Sequence, residues 1–182
     1  MTIKNTVTAY GSLAKFFHWF MFLLLVLAII GGNLDAAMPD STEKAEALLM
    51  HKSFGVLILA VLLMRLLWKL LNPNPAHVKD IPAWQASAST VVHWLLYVLM
   101  FAQPISGILM SQSFGYPVSF FGLFDVPTLV AENKGFGKIV HEVHEVNWIL
   151  LASLALGHTL VALHHHFVRK NEVLRRMLRQ QS

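Results

Sequence analysis

Apolar residues fall along this chain in four long blocks, separated by shorter polar stretches that carry most of the prolines. The blocks run approximately over Leu13–Gly32, His51–Leu71, Thr90–Ser111 and Glu145–Val168. Each holds about 20 residues, the helical length that crosses roughly 30 Å of bilayer hydrocarbon. Their ionisable residues sit near the ends or are histidines along the run, with Lys15 and Arg65 at the margins. The pattern predicts an all-α fold, an integral membrane four-helix bundle in which residues 1–182 form a single domain. The link Asn72–Ala88 contains Asn-Pro-Asn-Pro and Ile-Pro, which stop the second helix. Phe114–Lys138 is the longest link, and its Phe120–Phe124 portion is expected at the membrane interface. Pro104, inside the third block, predicts a kink there. The first block exceeds the roughly 7–15 apolar residues of a secretory signal and reads as a retained helix.

Composition agrees with burial in lipid. Hydrophobic residues make up 55% of 182 positions and charged residues 13%, against about a quarter charged in a soluble domain. Mean hydropathy is +0.56. Charge then orients the bundle. With four spans, Lys4, Lys15, Arg65, Lys69, Lys79, Arg169, Lys170, Arg175, Arg176 and Arg179 share the side of the termini, and only Lys44, Lys52, Lys134 and Lys138 lie opposite. That asymmetry places both termini in the cytoplasm, and the acidic residues are skewed the other way. The basic stretch Arg169–Arg179, next to a hydrophobic span, suits anionic lipid headgroups rather than nucleic acid. The tryptophans Trp19, Trp68, Trp84, Trp94 and Trp148 near the span ends read as an interfacial aromatic belt. The absence of cysteine excludes disulfides, thiolate metal sites and covalently attached c-type haem.

Ten histidines are the chemical outlier. An ionisable residue within a bilayer is costly and is a functional candidate by default. His144 and His158 are 14 residues apart on the fourth helix. That interval is about 40° short of four full turns and roughly 21 Å along the axis, so one face presents an imidazole near each membrane surface. Chain direction supplies a counterpart at each depth: His18 matches His158 on the inner side, and His51 matches His144 on the outer side. Each pair is suited to hold a six-coordinate iron with two imidazoles, an arrangement for electron transfer. The 14-residue interval recurs from His18 to Gly32, from His93 to Gly107 and from His51 to Arg65. The glycines fall where a porphyrin can approach the backbone, and Arg65 falls where a cation can meet haem propionates. His93, at the depth of His18, competes as a ligand or hydrogen-bonds a propionate or quinone; the second role is preferred. His165 is the best placed of His164, His165 and His166 for a proton relay at a quinone site. His141 and His164 are further ligand choices, and His77 has no assigned role.

The segments Tyr10-Gly-Ser-Leu-Ala-Lys-Phe-Phe-His18-Trp19, His51-Lys52-Ser-Phe-Gly55 with Arg65-Leu-Leu-Trp-Lys69, His93-Trp-Leu-Leu-Tyr97 with Pro104-Ile-Ser-Gly107, and His144-Glu145 followed by His158 and His165-His166 resemble the bacterial cytochrome b561 family. The likeness covers nearly the whole chain in order and is nearest to the short, stand-alone inner-membrane form. It implies a four-helix bundle with two b-type haems, His51 and His144 on the outer iron, His18 and His158 on the inner. It also implies a superoxide oxidase activity, in which periplasmic superoxide gives electrons that reduce ubiquinone. Lys52 and Lys138, with Lys134 and His141, are candidates for steering superoxide to the outer face. Membrane lipid, quinone and a periplasmic one-electron donor are the expected partners, with no nucleic acid and no obligatory protein. The competing reading is a haem-b anchor subunit for a membrane dehydrogenase or hydrogenase. A haem-free metal transporter would need acidic residues inside the spans, which are essentially lacking.

Overall fold

The computed structural model describes residues 2–76, 78 and 81–178; His77, Lys79, Asp80 and Arg179 lie outside the described residues. Four long helices dominate: α1 (Ser12–Ala37), α2 (Thr42–Leu71), α3 (Ala83–Ser113) and α4 (Lys134–Phe167). A two-stranded hairpin, β1 (Ser119–Phe120) with β2 (Phe124–Asp125), lies between α3 and α4, and a short turn of helix, α5 (Arg175–Leu178), follows α4. All four long helices are apolar enough to cross a membrane. Most of their large hydrophobic side chains stay exposed, among them Phe22, Leu63, Val98 and Leu160. Such a surface is stable only against lipid.

The helices overrun the apolar blocks. The second begins at Thr42 rather than near His51, the third at Ala83 rather than near Thr90, and the fourth at Lys134 rather than near Glu145. Hydropathy marks only the hydrocarbon zone, whereas a helix keeps satisfying its own backbone through the headgroup region. The true ends are set by capping. Ser41 Oγ accepts from Lys44 N–H at 3.2 Å, and Asn133 Oδ1 accepts from Phe136 N–H at 3.0 Å. At 34 residues, α4 is about 50 Å long and must project beyond the hydrocarbon. α3 stays helical through Pro104, which is buried.

α1 packs along α2, α3 packs along α4, and α2 joins the two helical hairpins through α3; α1 and α4 scarcely approach each other. The buried core sits midway along the bundle, around Met21 and Leu24 of α1, Ile58, Val61 and Leu62 of α2, Tyr97 and Met100 of α3, and Leu151 of α4. The described residues before α1, those of the α2–α3 link and those after α4 share one end, called terminal below; the opposite end is distal. The terminal end is laced together. Ala76 N–H donates to Val7 C=O at 2.8 Å, Trp19 Nε1 to Met177 C=O at 3.0 Å, and Arg176 Nη1 to Ala76 C=O at 2.6 Å. Gly11 is required there, because a Cβ would collide with the backbone of Ile3 and Lys4.

At the distal end the Phe120–Phe124 stretch forms the hairpin rather than a plain loop. Phe121 and Gly122 take left-handed backbone angles (φ 51° and 71°) to turn it. Fully buried Ser53 of α2 pins it: its Oγ accepts from Phe121 N–H at 2.8 Å and lies 3.2 Å from Ser119 C=O. Leu123 and Phe124 remain exposed at the tip.

Candidate functional site

The histidines gather at two levels, one on each side of the apolar midsection. At the terminal level, α1 supplies His18, α3 His93 and α4 His158. The His18 and His158 ring centroids are 6.3 Å apart with planes at 80°, and the His93 and His158 centroids 5.3 Å apart at 69°. At the distal level, α2 supplies His51 and α4 His144, 6.4 Å apart at 82°. The pairs that depth selects are thus pairs whose rings face each other, and the 14-residue interval puts both partners from α4 on one face. Leu151, buried at 2% exposure, stands halfway between them.

These separations test whether one iron fits each pair. Metal–imidazole nitrogen bonds run about 2 Å and a ring centroid lies about 1.1 Å behind its nitrogen, so two rings on one iron sit about 6.2 Å apart. The 6.3 Å and 6.4 Å separations meet that requirement. At 5.3 Å from His158, His93 is too close for the same arrangement. Donor chemistry agrees, since imidazole nitrogens are haem-iron ligands.

Hydrogen bonds set the tautomers. His51 Nδ1 is 3.2 Å from Ala28 C=O; a carbonyl only accepts, so Nδ1 carries the proton and Nε2 has the free lone pair. His144 reaches the same state by another route. Ser106 Oγ donates to Gln103 C=O at 2.9 Å, so towards His144 Nδ1, at 3.0 Å, it accepts. At the terminal level Arg65 Nη2 donates to His18 Nδ1 at 3.0 Å. His18 therefore carries its proton on Nε2, the reverse of the distal histidines. Arg65 also lies 5.7 Å from the Tyr97 ring, while Lys69 lies 4.6 Å over Trp94 and 4.9 Å over Tyr97. Burial pushes the Tyr10 phenol up, against the opposing pull of Arg176 and Arg65.

Gly32 and Gly107 lie at the distal level, and what they accommodate here is imidazole. A Cβ on Gly32 would stand 2.7 Å from His51 Cε1, and one on Gly107 3.1 Å from His144 Cε1. The remaining candidates are more scattered. Lys52 Nζ donates to Pro117 C=O at 3.3 Å and lies 5.7 Å over the Tyr116 ring, so it is tied to the approach to the hairpin. Lys138 is exposed on α4. Lys44 pairs with Asp40 at 2.9 Å, and this bond holds the Asp40 carboxyl below its usual range; Lys134 is 4.0 Å from Glu132. His165 is buried, and Asn171 Nδ2 donates to its Nδ1 at 2.8 Å, so the C-terminal tail claims one ring nitrogen. His141 faces Met110 Sδ at 3.3 Å and His164 neighbours His165, so neither faces an imidazole from another helix among the described residues.

Sequence reasoning passed over Gln103 and Asn147. Asn147 Nδ2 donates to Leu99 C=O at 3.0 Å and to Gln103 Oε1 at 2.6 Å, and Gln103 Nε2 donates to His144 Nε2 at 3.0 Å. The available signal was a polar side chain at mid-helix in an otherwise apolar span, three residues after His144 for Asn147 and one residue before Pro104 for Gln103.

Residues 9–180 match the family model described as prokaryotic cytochrome b561. The chain is 32% identical over 190 aligned positions to cytochrome b561 homolog 2 of Escherichia coli K12, covering 100% of this chain and 97% of that protein. It is 28% identical over 166 positions to cytochrome b561 homolog 1 of the same organism, covering 90% and 93%. It is 31% identical over 173 positions to a protein of Yersinia pestis named probable superoxide oxidase CybB, covering 93% and 95%.

Proposed function

We propose, from the premise that this chain belongs to the prokaryotic cytochrome b561 family, that it carries electrons from periplasmic superoxide to ubiquinone using two b-type haems. Family membership and four membrane-spanning helices make it a multi-pass protein of the bacterial inner membrane, a b-type cytochrome in electron transfer. The two-haem part of this reading is carried by one observation: the same inter-ring spacing, 6.3 Å and 6.4 Å, occurs at two levels of the bundle.

His51 and His144 would hold the distal haem, and His18 and His158 the terminal one. Haem iron supplies reversible one-electron chemistry when bound. The side chains of this protein do the rest. Two imidazoles at each level would leave an iron held there no open position for oxygen to bind. Met21, Leu62 and Leu151, all buried, keep water out of the midsection, so protons do not accompany electrons across it. Arg65, which donates to His18 Nδ1, would be the cation for a propionate, and that hydrogen bond would then be given up. His93, next to His158, hydrogen-bonds the quinone or a propionate, and His165 relays protons near the terminal end. The basic residues Arg169, Lys170, Arg175 and Arg176 support a cytoplasmic terminal end. Lys52 and Lys138 add positive potential at the periplasmic face, where an anionic donor arrives. Two superoxide ions each lose one electron and become dioxygen; ubiquinone gains those two electrons with two cytoplasmic protons and becomes ubiquinol. The relative from Yersinia pestis named probable superoxide oxidase supports this choice of donor.

The test is His158→Ala. Purified variant is expected to hold one haem per chain instead of two and to lose quinone reduction. Two retained haems with full quinone turnover would refute the assignment.

A further inference from the structure

The distal histidine His144 is held by a polar chain of one consistent direction, and both of its ends are acceptor-only backbone carbonyls. One end is Leu99 C=O, which takes a hydrogen from Asn147 Nδ2. That orients the Asn147 amide, whose Nδ2 also donates to Gln103 Oε1 and so turns the Gln103 NH2 towards His144 Nε2. The other end is Gln103 C=O, which takes the Ser106 hydroxyl hydrogen and leaves Ser106 Oγ to accept from His144 Nδ1–H. Asn147 and Ser106 are 7% and 5% exposed, so water does not compete for these bonds. The two ends agree on one state: proton on Nδ1, lone pair on Nε2.

We infer that Ser106 is a positioning residue for His144, fixing the Nδ1–H tautomer and ring orientation in which Nε2 bonds the distal haem iron. This rests on the reading of His144 as a ligand. The roles of its two neighbours then separate. An iron bond needs the Nε2 lone pair, so Gln103 satisfies that nitrogen only until haem arrives. Ser106 bonds the far side of the ring and stays. A ligand imidazole that donates its second N–H gains anionic character and favours the oxidised iron. His51 obtains the same bond from Ala28 C=O, which no side-chain substitution removes. Among the described residues, Ser106 is therefore the one side chain through which the bond to a distal Nδ1–H can be altered.

The test uses purified holoprotein with Ser106→Ala and Ser106→Thr. Alanine is well tolerated in a helix, so the Ala variant is expected to fold. It should lose haem from one of its two sites about 10–100-fold more readily to an acceptor protein, the range seen when a ligand's hydrogen-bond partner is removed. The midpoint potential of that same site should rise while the other site keeps its value. Ser106→Thr, which retains the hydroxyl, should restore both readouts. An Ala variant unchanged in potential and haem retention, or a Thr variant that fails to restore them, overturns the inference. His144→Ala separates the two layers. If it keeps two haems, the ligand reading fails; if it loses one haem while Ser106→Ala changes nothing, only the role of Ser106 fails.

Discussion

Single atoms decide the distal site, and Gly32 shows this most directly. A Cβ at Gly32 would stand 2.7 Å from His51 Cε1, whereas one at the neighbouring Gly31 meets nothing within 4 Å. Both glycines are inside α1, where alanine is favoured by about 1 kcal/mol. Gly31→Ala should therefore raise stability slightly and leave haem content alone. Gly32→Ala should forfeit that gain, because crowding a packed side chain costs about 1–3 kcal/mol, and should lower distal haem occupancy. Thermal unfolding in detergent and a haem-to-protein ratio measured on both variants give the comparison. The place of Gly32 was legible as an interval of 14 from His18. That its neighbour is an imidazole edge was not, because sequence intervals describe one helix and the contact belongs to two.

Among the elements, the hairpin between α3 and α4 depends on a residue of α2. Phe121 holds φ at 51°, a left-handed conformation costing a non-glycine residue about 1–2 kcal/mol. The bond from its N–H to Ser53 Oγ offsets part of that cost. Ser53→Ala leaves this N–H without its acceptor, a loss of about 1–3 kcal/mol, while α2 itself is expected to stand. Amide hydrogen exchange should rise across 117–126 and stay unchanged in the midsections of the helices. Protection retained in the hairpin would show that Ser53 is not its anchor. Nothing in the chain near Ser53 announced this bond, since its partner is 68 residues away. Helix ends behaved similarly. Ser41 and Asn133 cap α2 and α4 outside the hydrocarbon zone, which is all that hydropathy marks.

For the whole molecule, the distribution of lysine and arginine is an orientation signal that can be tested cleanly, because the chain has no cysteine. Thr8 at the terminal end and Leu123 at the distal tip are both exposed. In spheroplasts, a membrane-impermeant maleimide should label Leu123→Cys and spare Thr8→Cys until the membrane is opened. The reverse pattern would place the His51–His144 level on the cytoplasmic side and refute periplasmic superoxide as the proposed donor.

Four membrane-capable helices, and the intervals between the histidines along them, were legible in the order of the residues. Those properties follow from 20-residue apolar runs and a fixed rise per residue, which are local to each helix. Packing between the helices adds that the His18 ring stands 6.3 Å and the His93 ring 5.3 Å from that of His158, that Arg65 and Ser106 impose opposite proton positions on His18 and His144, and that a polar chain runs from Leu99 to the distal ring. Helical periodicity gives each side chain a height and a direction. Which group waits opposite depends on how the helices pack and how their hydrogen-bond donors pair, and that information is spread over the whole chain.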